Sequence, residues 1–77
     1  MHRIIVANRR GHQVVEWETT DTDEARQQIA AAERILQEAR DRGCLVSKKV
    51  GGQHVVDDGP FDSAVEEYQI IAPIAGG

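Results

Sequence analysis

Two hydrophobic periods divide the chain. Residues 3–8, Arg-Ile-Ile-Val-Ala-Asn, are apolar on both parities, the pattern of a central strand covered on two sides. Asn8-Arg9-Arg10-Gly11 reads as a turn, with Gly11 free to take the positive φ of a tight hairpin. Residues 12–19 then alternate. Gln13, Val15 and Trp17 fall on one face, and Val14, Glu16 and Glu18 on the other, as in a strand with one wetter side. At Asp21 the period changes from two to 3.6. Ala25, Ile29, Ala32, Leu36 and Ala39 recur at spacings of four and three, and Ile35 widens the stripe. Asp21 is the expected capping residue, with Glu24 as its reciprocal partner, and Gly43 is a ready stop. These signals predict a helix from about residue 22 to about 42, roughly 30 Å long.

Strand character returns after Gly43. Residues 44–50 read as a third strand, Gly51-Gly52 as a turn and residues 53–56 as a fourth strand. Residues 57–63, with Gly59-Pro60, form a loop that Phe61 anchors by plugging one end of the core. Residues 67–72 read as a fifth strand, and Pro73, which has no N–H to donate, ends its pairing. The order is strand, strand, helix, strand, strand, strand. A β-branched last strand belongs beside the first, parallel to it, with the helix crossing one face. This is an α+β, ββαβββ arrangement of the β-grasp type, a mixed sheet packed on one long helix. A sandwich with another strand order is the alternative. The expected organisation is one domain over residues 1–72 and a flexible tail over residues 73–77.

Composition narrows the function. The 77 residues carry thirteen acids, nine bases and a net charge of −4, which disfavours nucleic acid or an anionic membrane as partner. No apolar run approaches the ~20 residues a spanning helix needs, and the N-terminus shows no secretion signal. One cysteine, Cys44, excludes an internal disulfide and a multi-cysteine zinc site, so the expected compartment is cytoplasmic. A chain this short fills its own core with difficulty, so binding or carrier work is expected rather than catalysis in a large pocket.

The end of the chain has its own chemistry. Ile71-Ala72-Pro73-Ile74-Ala75-Gly76-Gly77, taken with the element order and length, resembles the ubiquitin-like β-grasp proteins. The segment is similar to the tail of sulfur carriers such as the small subunit of molybdopterin synthase. The predicted helix is longer than in typical members, and the arginine run of eukaryotic ubiquitin is missing. The resemblance implies that an E1-like adenylating enzyme uses ATP to activate the Gly77 carboxylate. The product is then joined to a target protein or carries sulfur as a thiocarboxylate. Gly76 and Gly77 lack the Cβ that would obstruct a narrow channel, and Pro73 stiffens the exit, with Ile74 and Ala75 completing the recognised tail. A processing peptidase and a sulfurtransferase are further implied partners. The chain itself would bind no cofactor and supply no catalytic acid or base.

Other residues have simpler readings. Cys44, at a helix-to-strand junction, is expected to be a small buried hydrophobe rather than a reactive thiol. His2, His12 and His54 lack a metal-ligand spacing, although strand pairing could bring His2 near His12. Arg9 and Arg10 are expected to be solvated at a turn, and Asp57 and Asp58 to serve turn chemistry. Lys48 and Lys49, the only lysines, are the side-chain acceptors for any self-conjugation, or else a solvated strand edge that discourages aggregation. Leu45 and Ile71 form a candidate partner surface opposite the helix, where related proteins are grasped. The rival functional class is a structural or interaction module with an inert tail, such as a small assembly or phage-associated protein.

Overall fold

The computed structural model describes residues 2–8 and 11–72. Five strands and one helix follow in the order β1 (His2–Asn8), β2 (Gly11–Trp17), α1 (Asp23–Asp41), β3 (Leu45–Val50), β4 (Gln53–Val56) and β5 (Glu67–Ile71). The strands form one sheet in the order β2-β1-β5-β3-β4. β1 and β5 run parallel at its centre, and the other neighbours are antiparallel. This is the expected β-grasp arrangement, with one helix laid over a mixed sheet.

The core follows from strand periodicity. Ile4 and Val6 of β1, Val15 and Trp17 of β2, Val46 of β3, and Tyr68 and Ile70 of β5 meet Ala32, Leu36 and Ala39 of α1. Ile29 and Ile35 flank this cluster, half-buried. Each large apolar side chain buried there contributes about 1.5–3 kcal/mol. Alternation puts Arg3, Ile5 and Ala7 on the other face of β1, which no second layer covers among the described residues. The expectation of a strand covered on two sides therefore holds for only one. Flanking side chains on β2 and β5 leave these three residues half-buried instead.

The helix ends differ in how closely they match the pattern. Its N-cap is Thr22, one residue beyond the expected Asp21. Thr22 has extended backbone, and its Oγ1 accepts from the Ala25 N–H at 3.1 Å. Three residues on stands Ala25, which cannot return a hydrogen bond, so no reciprocal capping box forms. Asp21 instead accepts from Arg26 Nη1 at 2.7 Å in solvent. At the other end Gly43 adopts φ +81° and donates to Arg40 O, while Cys44 donates to Ala39 O. That pair of bonds is a Schellman stop, and it turns the chain into β3. Gly51 and Gly52 both have positive φ, as a two-residue β3–β4 hairpin requires.

The segment between β4 and β5 is fastened by aromatic and polar contacts. Phe61 meets Trp17 edge-on at 5.2 Å and stacks on Tyr68 at 5.6 Å, closing one end of the core as expected. Trp17 Nε1 donates to Ser63 O at 2.9 Å, and the Asp62 N–H donates to Tyr68 Oη at 2.9 Å. His2 stacks on Trp17 and its Nδ1 meets Val65 O at 2.8 Å.

Candidate functional site

The open face of the sheet is set by the strand register. Side chains one residue out of phase with the core share it in three rows. Glu16, Arg3 and Glu67 lie across one end. Val14, Ile5, Gln69, Ser47 and Val56 cross the middle. His12, Ala7, Ile71 and Leu45 lie at the end from which β5 leaves the sheet. The face is thus charged at one end and apolar at the other.

Leu45 and Ile71 are direct antiparallel partners and stay 48% and 41% exposed. Register puts this pair on the sheet face opposite the helix. Val14 and Val56 extend the exposed apolar surface on either side of the middle row. Ile71 and Ala72 are both exposed. The tail residues Pro73, Ile74, Ala75, Gly76 and Gly77, on which the activation chemistry was expected, lie outside the described residues.

A cleft opens beside this exit, lined by Val6, Ala7, Gln13, Arg42, Cys44, Ile70 and Ala72. Cys44 is half-buried against the core and borders the cleft, so it acts as the small hydrophobe expected of it while remaining within reach of solvent.

The charged end contains an arrangement that the linear pattern hid. Ser47 Oγ lies 3.0 Å from His54 Nδ1, and His54 Nε2 lies 2.6 Å from Glu67 Oε2. Arg3 Nε donates to Glu67 Oε1 at 2.8 Å. With the proton on Nε2, the imidazole donates to Glu67 and accepts from the Ser47 hydroxyl. Ser47 and Glu67 are both buried at 8% exposure, so the chain of bonds satisfies two polar groups that would otherwise be stranded. The hydrogen bond from His54, then the Arg3 guanidinium, hold the Glu67 carboxyl below the usual carboxylate range, against the opposing effect of burial. A serine–histidine–carboxylate chain suggests nucleophilic chemistry, which also requires free donors for an oxyanion. β3 is paired on both sides, so the N–H groups near Ser47 belong to the ladders. The arrangement fastens β4 to the centre of the sheet.

The remaining candidates fall elsewhere. The β1–β2 register pairs His2 with Trp17 and His12 with Ala7, so the hairpin holds His2 and His12 at opposite ends. Among the described residues no group of three metal-ligating side chains converges. Arg9 and Arg10 lie outside the described residues. Asp57 does more than turn the chain. It accepts from Arg40 Nη2 at 3.2 Å and from Lys48 Nζ at 3.3 Å. Lys49 pairs with Glu66 at 3.0 Å, which lowers the Glu66 pKa. β3 is an inner strand, so Lys48 and Lys49 do not guard a sheet edge. Both are half-buried and ion-paired. Among the described residues no helix is long and apolar enough to cross a membrane.

Comparisons with protein-family models, curated proteins and solved structures found no match to this chain.

Proposed function

We propose that this chain is a ubiquitin-like carrier or modifier whose C-terminal Gly77 is activated by an E1-like adenylating enzyme. A Gly77 carboxylate oxygen attacks the α-phosphorus of ATP, pyrophosphate leaves, and an acyl-adenylate forms. Attack on its carbonyl by a target amine releases AMP and makes an amide. Attack by the outer sulfur of a sulfurtransferase persulfide releases AMP and makes an acyl disulfide, which a thiol reductant cleaves to the thiocarboxylate and a mixed disulfide.

The observation that carries this reading is the position of β5. It is a central strand held on both sides, and it delivers the chain to an exposed Ala72 beside the apolar Leu45–Ile71 pair. A carrier needs such a pairing of parts, a firm body with an apolar face for the enzyme to hold and a terminus issuing next to it. The diglycine supports the reading through the room it leaves at the reacting carbonyl.

The test is pyrophosphate exchange with candidate adenylating enzymes, comparing the full chain with one lacking Gly77. Exchange that needs Gly77 is the expected result. Mass spectrometry then distinguishes a thiocarboxylate from an amide-linked adduct. A complex with a partner that survives removal of the tail, with no exchange, replaces this reading with that of an interaction module.

A further inference from the structure

The two sheet edges are unequal. β4 is four residues long and is succeeded by Asp57-Asp58-Gly59-Pro60. Short length, neighbouring charge and proline are the usual ways an edge is kept from pairing with another chain. β2 has less of this protection, with Glu16 the one acidic residue within it. It is seven residues long and contains no lysine or proline, and its register with β1 is unbroken from His2–Trp17 to Asn8–Gly11. Among the described residues its outer backbone has no strand partner.

From this edge we infer that the chain forms a two-fold dimer in which β2 pairs antiparallel with β2 of a second copy, centred on Val14. The side chains select both the occupant and the register. Val14 is the middle residue of β2 and is 55% exposed. With the axis there, each Val14 faces the other, and Ile5 stands beside it as its β1 partner. An apolar strip then runs Ile5, Val14, Val14, Ile5 across the junction. The same register sets His12 of each copy opposite Glu16 of the other, twice over. A neutral imidazole donates to that carboxylate, and a protonated one pairs with its charge. All four side chains are exposed in the single chain. A shift of two residues would lose both pairs. The joined sheet would contain ten strands, with each unprotected edge covered by its twin.

Sedimentation equilibrium from micromolar to millimolar concentration, with circular dichroism as a check on folding, tests the inference. A reversible monomer–dimer equilibrium is expected. Val14→Lys sets two ammonium groups against each other on the axis and should raise the dimer Kd by about tenfold or more. Leu45→Lys, on the open face but away from the edge, should leave it unchanged. In a Cys44→Ser background, Val14→Cys should give a disulfide-linked dimer under mild oxidation, and Gln13→Cys on the opposite face should not. The crosslinking result decides the matter even if Val14→Lys fails to fold. A chain that stays monomeric throughout overturns the inference. A dimer that Leu45→Lys dissolves overturns it too, because the contact would then be the open face. So does a dimer with no Val14→Cys crosslink.

Discussion

Glu67 and His54 meet at 2.6 Å although their strands, β5 and β4, are separated by β3. The contact bridges the middle strand and ties the short outer hairpin to the centre of the fold. Arg3 from β1 completes the span, so a single buried carboxylate joins three strands.

Acid should therefore loosen the molecule in a specific window. Glu67 has a folded pKa below its unfolded value, so its contribution is present above the unfolded pKa, about 4.3, and is lost as pH falls through the folded value. Urea titrations at decreasing pH should show the midpoint falling below about pH 4.5. In Glu67→Gln that dependence should flatten. Glu67→Ala should cost about 1 kcal/mol near neutrality, because it removes the carboxylate that holds His54 and Arg3, both of which stay open to water.

The helix start offers a comparison between adjacent residues. Thr22→Ala removes the oxygen that accepts from Ala25 N and should destabilise the protein by about 1 kcal/mol. Asp21→Ala removes only an exposed ion pair and should change stability by less than about 0.5 kcal/mol. Chemical denaturation of the two variants separates the cap from its neighbour.

Phe61→Ala should cost about 2 kcal/mol, below the range for a fully buried phenylalanine because Phe61 is half-buried. Hydrogen exchange should localise the effect. The Asp62 and Val65 amides, bonded to Tyr68 Oη and Asp62 O, should lose protection before the β1–β5 ladder does.

The apolar pair at the exit separates docking from folding. Leu45→Arg combined with Ile71→Arg should leave the thermal midpoint nearly unchanged, since both side chains are exposed. If the adenylating enzyme holds this face, the double variant should slow pyrophosphate exchange by about tenfold or more, while deletion of Gly77 abolishes it.

Patterning along the chain was enough for the elements and for most of the core. The 3.6-residue stripe of α1 and the alternation of Val15 and Trp17 are local signals, expressed within one or two turns or a single strand. The helix cap was misplaced by one residue because Asp21 and Thr22 both carry a capping oxygen. Only the backbone decides between them. The residues of β3, with two lysines among them, do not mark it as internal, so an edge role for Lys48 and Lys49 fits the sequence equally well.

The polar chain of Ser47, His54, Glu67 and Arg3 was invisible for a related reason. Its members come from four strands and span sequence separations of up to 64 residues, and none stands in a recognisable spacing.

By itself the order of residues determined the strands and helix to within a residue or two, which face of α1 and of β2 is apolar, and that the last strand belongs beside the first. Those properties depend on neighbours three or four positions away at most, or on β-branched composition. Tertiary structure decided that β3 is internal, that Leu45 abuts Ile71, that His2 and His12 stand apart, and that β2 is an unguarded edge. Each of these is a matter of register between distant segments, and register is chosen by the packing of the whole sheet beneath one helix.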